Sequence, residues 1–95
     1  MEYKLRLNKQ IVSEDIRSIH SLLKTNGYQD VLTDNEFSIW IPYENKEWGD
    51  RFLLEFKNSK DEGYLYVDSD RTSRNEIINI IESFFEDKII SFDEC

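Results

Sequence analysis

The run from Ser73 to Asp87, SRNEIINIIESFFED, most constrains what this chain can fold into. Ser73 and Glu76 have the spacing of a capping box, in which the serine hydroxyl accepts from the Glu76 N–H and the Glu76 carboxylate accepts from the Ser73 N–H. Behind them Ile77, Ile78, Ile80, Ile81, Phe84 and Phe85 form a stripe wider than a coiled-coil seam, with Asn79, Glu82, Ser83 and Glu86 opposite. Isoleucine is a middling helix former, so packing rather than propensity must hold such a helix. It needs a broad apolar surface to lie on.

The rest of the chain reads as that surface. Residues 3–7 alternate, with Tyr3, Leu5 and Leu7 on one face and Lys4 and Arg6 on the other. Ser13, followed by Glu14 and Asp15, marks the start of a second helix carrying Ile16, Ile19, Leu22 and Leu23. Asn26-Gly27 is its stop signal. Residues 28–32 fit either a short strand or an irregular return. Strands are expected over 36–41, over 51–57 and over 64–68, with Pro42 ending the first or placing it near an edge. Ile89, Ile90 and Phe92 fit a last short strand or a packed tail. The order β-α-β-β-β-α, with extra short strands allowed, predicts an α+β two-layer sandwich. It consists of a mainly antiparallel sheet of 4–5 strands with helices 13–26 and 73–87 on one face. At 95 residues one domain is expected.

The alternation assigns faces. Phe37, Ile39 and Ile41, Phe52, Leu54 and Phe56, and Leu65 and Val67 are expected under the helices. Trp40, Leu53, Tyr64 and Tyr66 then fall on the opposite face, beside Ser38, Arg51 and Glu55. Contiguous aromatic and apolar patches mark partner sites, and Trp and Tyr are enriched among binding hot spots. Ordinary cross-strand packing accounts for such a face equally well.

Chemistry is sparse. His20 is the only histidine and Cys95 the only cysteine, so neither a zinc set nor an intrachain disulfide is available. The lone thiol fits a reducing compartment. The stretch from Asp68 to Thr72 opens like a calcium loop, but Ser73 stands where glycine is needed and Asn79 where a bidentate glutamate belongs. No glycine-rich phosphate loop or nucleophile elbow occurs. No catalytic residue and no cofactor is expected. The first residues lack the apolar run of a signal peptide, and no segment approaches the ~20 apolar residues of a membrane span. The expectation is a cytoplasmic protein.

The net charge of −8 argues against nucleic acid and anionic membranes as partners and permits a basic protein. Solubility alone also accounts for such a charge. Carboxylates gather at Glu44, Glu47 and Asp50, at Asp61-Glu62, at Asp68 and Asp70, and along Glu82, Glu86, Asp87, Asp93 and Glu94. In size, charge and build the chain is similar to the small acidic inhibitors of bacteria and phages, immunity proteins and anti-defence proteins, although no residue motif carries that likeness. Its abundance of Ile, Asn and Lys is compatible with an AT-rich bacterial or phage genome. The function expected is a non-enzymatic binding module that blocks a basic partner such as a nuclease. Trp40, Tyr64 and Tyr66 would be its anchors, and Glu44, Glu47, Trp48 and Asp50 a flanking acidic loop. The alternatives are a homodimeric assembly subunit using the aromatic sheet face, and a small-molecule sensor.

Overall fold

A computed structural model of the chain describes residues 2–34, 36–44, 51–69 and 74–94. The elements run β1 (Glu2–Leu7), α1 (Ser13–Thr25), β2 (Tyr28–Thr33), β3 (Phe37–Pro42), β4 (Phe52–Asn58), β5 (Gly63–Ser69), α2 (Arg74–Phe85), a short 3-10 turn (Glu86–Lys88) and β6 (Ile89–Glu94). They form an α+β fold in which one six-stranded antiparallel sheet, ordered β2-β3-β4-β5-β1-β6, carries both helices on one face. The sheet is larger than the 4–5 strands expected, because both ambiguous segments, 28–32 and the tail, are strands at its two edges.

Local signals explain most of the boundaries. Helix α1 begins one residue earlier than a Ser13 cap implies. Val12 is the capping position, and the Asp15 carboxylate accepts its N–H at 3.0 Å while pairing with Lys9. At the other end the Asn26 side-chain amide donates to the Leu22 carbonyl at 2.8 Å, and Gly27 takes φ 93°, the left-handed conformation that ends helices. The Ser73 half of the proposed capping box lies outside the described residues. The Glu76 carboxylate accepts from the Tyr28 hydroxyl, at 3.1 Å.

The core lies between sheet and helices. Leu5, Leu7, Phe52, Leu54, Phe56, Leu65 and Val67 rise from the sheet to meet Ile19 and Leu23 of α1 and Ile77, Ile81 and Phe85 of α2. Every one of these strand residues faces as the alternation predicts. Strand β3 does not. Its register pairs Ser38 with Leu54 and Trp40 with Phe52, so Ser38 and Trp40 face the helices. Phe37, Ile39 and Ile41 face away. Trp40 is 0% exposed, stacked on Phe52, with its indole N–H donating to the equally buried Ser38 hydroxyl at 2.7 Å. The physical reason is that β3 is apolar on both sides. Alternation fixes the face of a half-buried strand, but a strand with bulky apolar groups at odd and even positions has no such sign. Serine counts as polar in a pattern, yet here it supplies the acceptor that a buried indole requires.

Both sheet edges are bulged. The β2–β3 register shifts between Asp30 and Leu32, and the β1–β6 register between Arg6 and Leu7, which leaves Val31 and Ile90 as extra, exposed residues. Bulged edges resist edge-to-edge pairing with a second sheet.

Candidate interaction surfaces

The face of the sheet turned away from the helices is built by register. One row across it runs Leu32, Ile39, Leu53, Asp68, Glu2. The next runs Phe37, Glu55, Tyr66, Lys4, Asp93, and a third runs Lys57, Tyr64, Arg6, Ser91. The face therefore has two halves. Strands β2 to β4 supply an apolar half of Leu32, Phe37, Ile39 and Leu53, with Ile41 on the same side but buried. Strands β5 and β1 supply a half where tyrosines alternate with cations.

Tyr64 and Tyr66 lie together on this face, as expected, but they are occupied. Lys4 Nζ sits 4.8 Å from the Tyr64 ring centroid and 5.8 Å from that of Tyr66, and Lys57 Nζ is 5.7 Å from Tyr66. The Tyr64 hydroxyl donates to Glu62 at 2.8 Å, which raises the tyrosine's pKa. Arg6 grips the same carboxylate through Nε and Nη2, the latter at 2.6 Å, and holds Glu62 below the usual carboxylate range. Trp40, expected as a surface anchor, is in the core and cannot touch a partner without unfolding β3. Glu47, Trp48 and Asp50 lie outside the described residues.

Where the two halves meet, a shallow dent of about 210 Å³ opens between Phe37, Leu53 and Tyr66, with the carboxylates of Glu2, Glu55 and Asp68 around it. Glu55 also pairs with Lys57 at 3.6 Å. Sequence reasoning missed this constellation. The alternation places Leu53, Glu55 and Tyr66 on this face, but Phe37 reaches it through the β3 register, and Glu2 and Asp68 meet only because β1 pairs with β5.

Glu44 lies elsewhere, at the helix side of the sheet. It lines a cleft of about 680 Å³ beside Tyr28, Pro42, Tyr43, Lys24 and Glu76. Burial, reinforced by the Glu76 carboxylate, pushes the Tyr28 phenol up to about 12. No family model, no curated protein and no solved structure matches the chain.

His20 sits at the margin of the core. Its ring centroid is 5.1 Å from that of Trp40 and 6.4 Å from that of Phe56, and Nε2 is buried without a hydrogen-bond partner. Burial lowers its pKa; Lys24 acts in the same direction and Asp30 against it. The hydroxyl nearby, that of Thr33, donates to Asp30 at 2.8 Å and lowers that carboxyl's pKa. A general base needs a positioned proton to take and an orienting partner, and the contacts of His20 supply packing instead. Among the described residues no group of three or more His, Cys, Asp or Glu could hold a metal ion. Asp68 and Ser69, the opening of the apparent calcium loop, close strand β5, Ser69 buried and Asp68 on the open face. No helix among the described residues is long and apolar enough to cross a membrane.

Proposed function

We propose that this chain is a non-enzymatic protein-binding module, an inhibitor of the immunity or anti-defence kind, that blocks a basic partner through its open sheet face. The observation that carries the reading is the dent between Phe37, Leu53 and Tyr66 with Glu2, Glu55 and Asp68 around it. Its chemistry suits an arginine of the partner. The guanidinium would stack on the Tyr66 ring in competition with Lys4 and Lys57, its fork would reach the carboxylates, and its stem would lie on Leu53. The apolar half of the face would then desolvate the contact, and the chain's net charge of −8 would steer encounter. Blocking would be steric and electrostatic.

The test has two stages. Tagged protein is used at low salt to capture a partner from its host, and the purified pair is titrated from low to high ionic strength. Affinity should fall with salt, since exposed charges are screened beyond about 10 Å at 0.1 M. Glu55→Gln should weaken binding, because it removes a carboxylate and frees Lys57. Affinity that is flat with salt and indifferent to Glu55→Gln would sink the reading.

A second reading is self-association through the same face. It is favoured by the mixture there of Lys4, Arg6 and Lys57 with Glu2, Glu55 and Asp68, which would let two copies pair opposite charges. Sedimentation equilibrium decides it: a dimer abolished by Leu53→Glu supports it, and a strict monomer at high concentration removes it.

A further inference from the structure

The helical layer carries a second surface, on the opposite side of the molecule from the sheet face. Helices α1 and α2 contact each other over the sheet, and a groove of about 620 Å³ runs along them. Its apolar lining is Leu22 of α1, 36% exposed, with Ile80 and Phe84 of α2, one helical turn apart. The two charged groups that line it are both carboxylates, Glu76 and Glu86. Past Glu76 it continues into the cleft lined by Glu44, Lys24 and Tyr43, the last 61% exposed.

From this we infer that the groove is a docking site for a cationic amphipathic helix of a partner protein, laid alongside α2. Apolar side chains of that helix would fill the space over Leu22, Ile80 and Phe84. Lysines or arginines near its two ends would meet Glu76 and Glu86, which are ten residues apart on the chain, roughly 15 Å at the helical rise. Recognition would be of the helix-in-groove kind, with i, i+3/i+4, i+7 anchors. Charge complementarity selects the occupant: an acidic helix would place its charges against both carboxylates, and an uncharged one would leave them unpaired.

The backbone makes one of these carboxylates separately testable. Glu86 has φ 43°, in the left-handed region just beyond the last residue of α2, where glycine is the usual occupant. Replacing it with glycine relieves that conformation and deletes the carboxylate in one step. Tyr28 meanwhile fixes Glu76 through its 3.1 Å hydrogen bond.

The inference stands apart from the sheet-face reading, and the experiment separates the two. The probe is a fluorescein-labelled synthetic peptide with leucines at i, i+3, i+4 and i+7 and lysines elsewhere, titrated by anisotropy against the full chain at low salt. The control is a peptide of the same composition, scrambled to destroy the apolar stripe. The amphipathic peptide should bind at least about tenfold more tightly than the scrambled one. Glu86→Gly should weaken it about two- to fivefold, as expected for one exposed ion pair, while raising the urea midpoint. That loss cannot then come from unfolding. Glu55→Gln, on the other layer, should leave peptide affinity unchanged. Equal binding of both peptides, or full affinity in Glu86→Gly, would overturn the inference. So would a loss in Glu55→Gln, which would place the peptide on the sheet face.

Discussion

The reversed face of β3 makes the sharpest prediction about this fold, because it rests on one buried polar pair. Ser38 and Trp40 are both 0% exposed, and the indole N–H donates to the serine hydroxyl at 2.7 Å. Ser38→Ala strands that donor in a place water does not reach, at a cost of about 1–3 kcal/mol. With a urea m-value near the low end for small domains, about 1 kcal/mol/M, the midpoint should fall by roughly 1–3 M. Trp40→Phe removes the donor as well as some volume, so it is destabilising through the cavity it leaves. In that background Ser38→Ala should cost less than about 0.5 kcal/mol, because no indole N–H remains to be stranded. The coupling energy from the double-mutant cycle should therefore reach about 0.5 kcal/mol or more. Far-UV circular dichroism is the suitable probe, since Trp48 also fluoresces. A Ser38→Ala cost that is the same in both backgrounds would mean that the indole does not depend on this hydroxyl.

Burial holds the His20 imidazole below its ordinary pKa. The unfolded chain takes up a proton near pH ~6.5 that the folded chain refuses, so this contribution to stability is complete above that pH, falls as the pH drops through it, and levels off below the folded value. The difference in urea midpoint between wild type and His20→Phe should therefore change between about pH 8 and about pH 5; a constant difference would refute the burial argument. The two glycines at special positions should fail for different reasons. A Cβ at Gly63 would lie 2.7 Å from both the Lys9 carbonyl oxygen and Ile11 Cγ1, so Gly63→Ala should cost about 1–3 kcal/mol or more, measured by urea unfolding. Gly27→Ala meets nothing within 4 Å and should cost only its left-handed φ of 93°, about 1 kcal/mol.

Sequence pattern was most legible where one face of an element is apolar and the other polar. Strand β1, helix α1 and strands β4 and β5 show that contrast, and each faces as its alternation implies. The edge strands were less legible, because bulges at Val31 and Ile90 interrupt their period. Strand β3 was misread for the opposite reason, having apolar side chains on both sides. The candidate site suffered twice from long-range pairing. Trp40 left the surface with the β3 register, and the tyrosines, correctly placed, proved to be lined with Lys4 and Lys57 from neighbouring strands. Glu44, chosen for its place in an acidic loop, belongs to the helix-side cleft and not to the sheet face.

The insertion of β1 between β5 and β6 explains much of this surface. A chain that simply ended its sheet at β5 would expose Tyr64 and Tyr66 on a bare edge strand. Because β1 returns to pair there, Lys4 falls opposite Tyr66 and Arg6 opposite Tyr64, while Glu2 falls opposite Asp68. One strand thus neutralises the aromatic half of the face and adds a carboxylate to the dent beside it. The charge pattern is set by register and not by composition. Moving β1 by one residue would turn Tyr3, Leu5 and Leu7 outward and take Glu2, Lys4 and Arg6 into the core. The same apolar burial that fixes the fold, Leu5 and Leu7 at 0% exposure, therefore also fixes which charges a partner would meet.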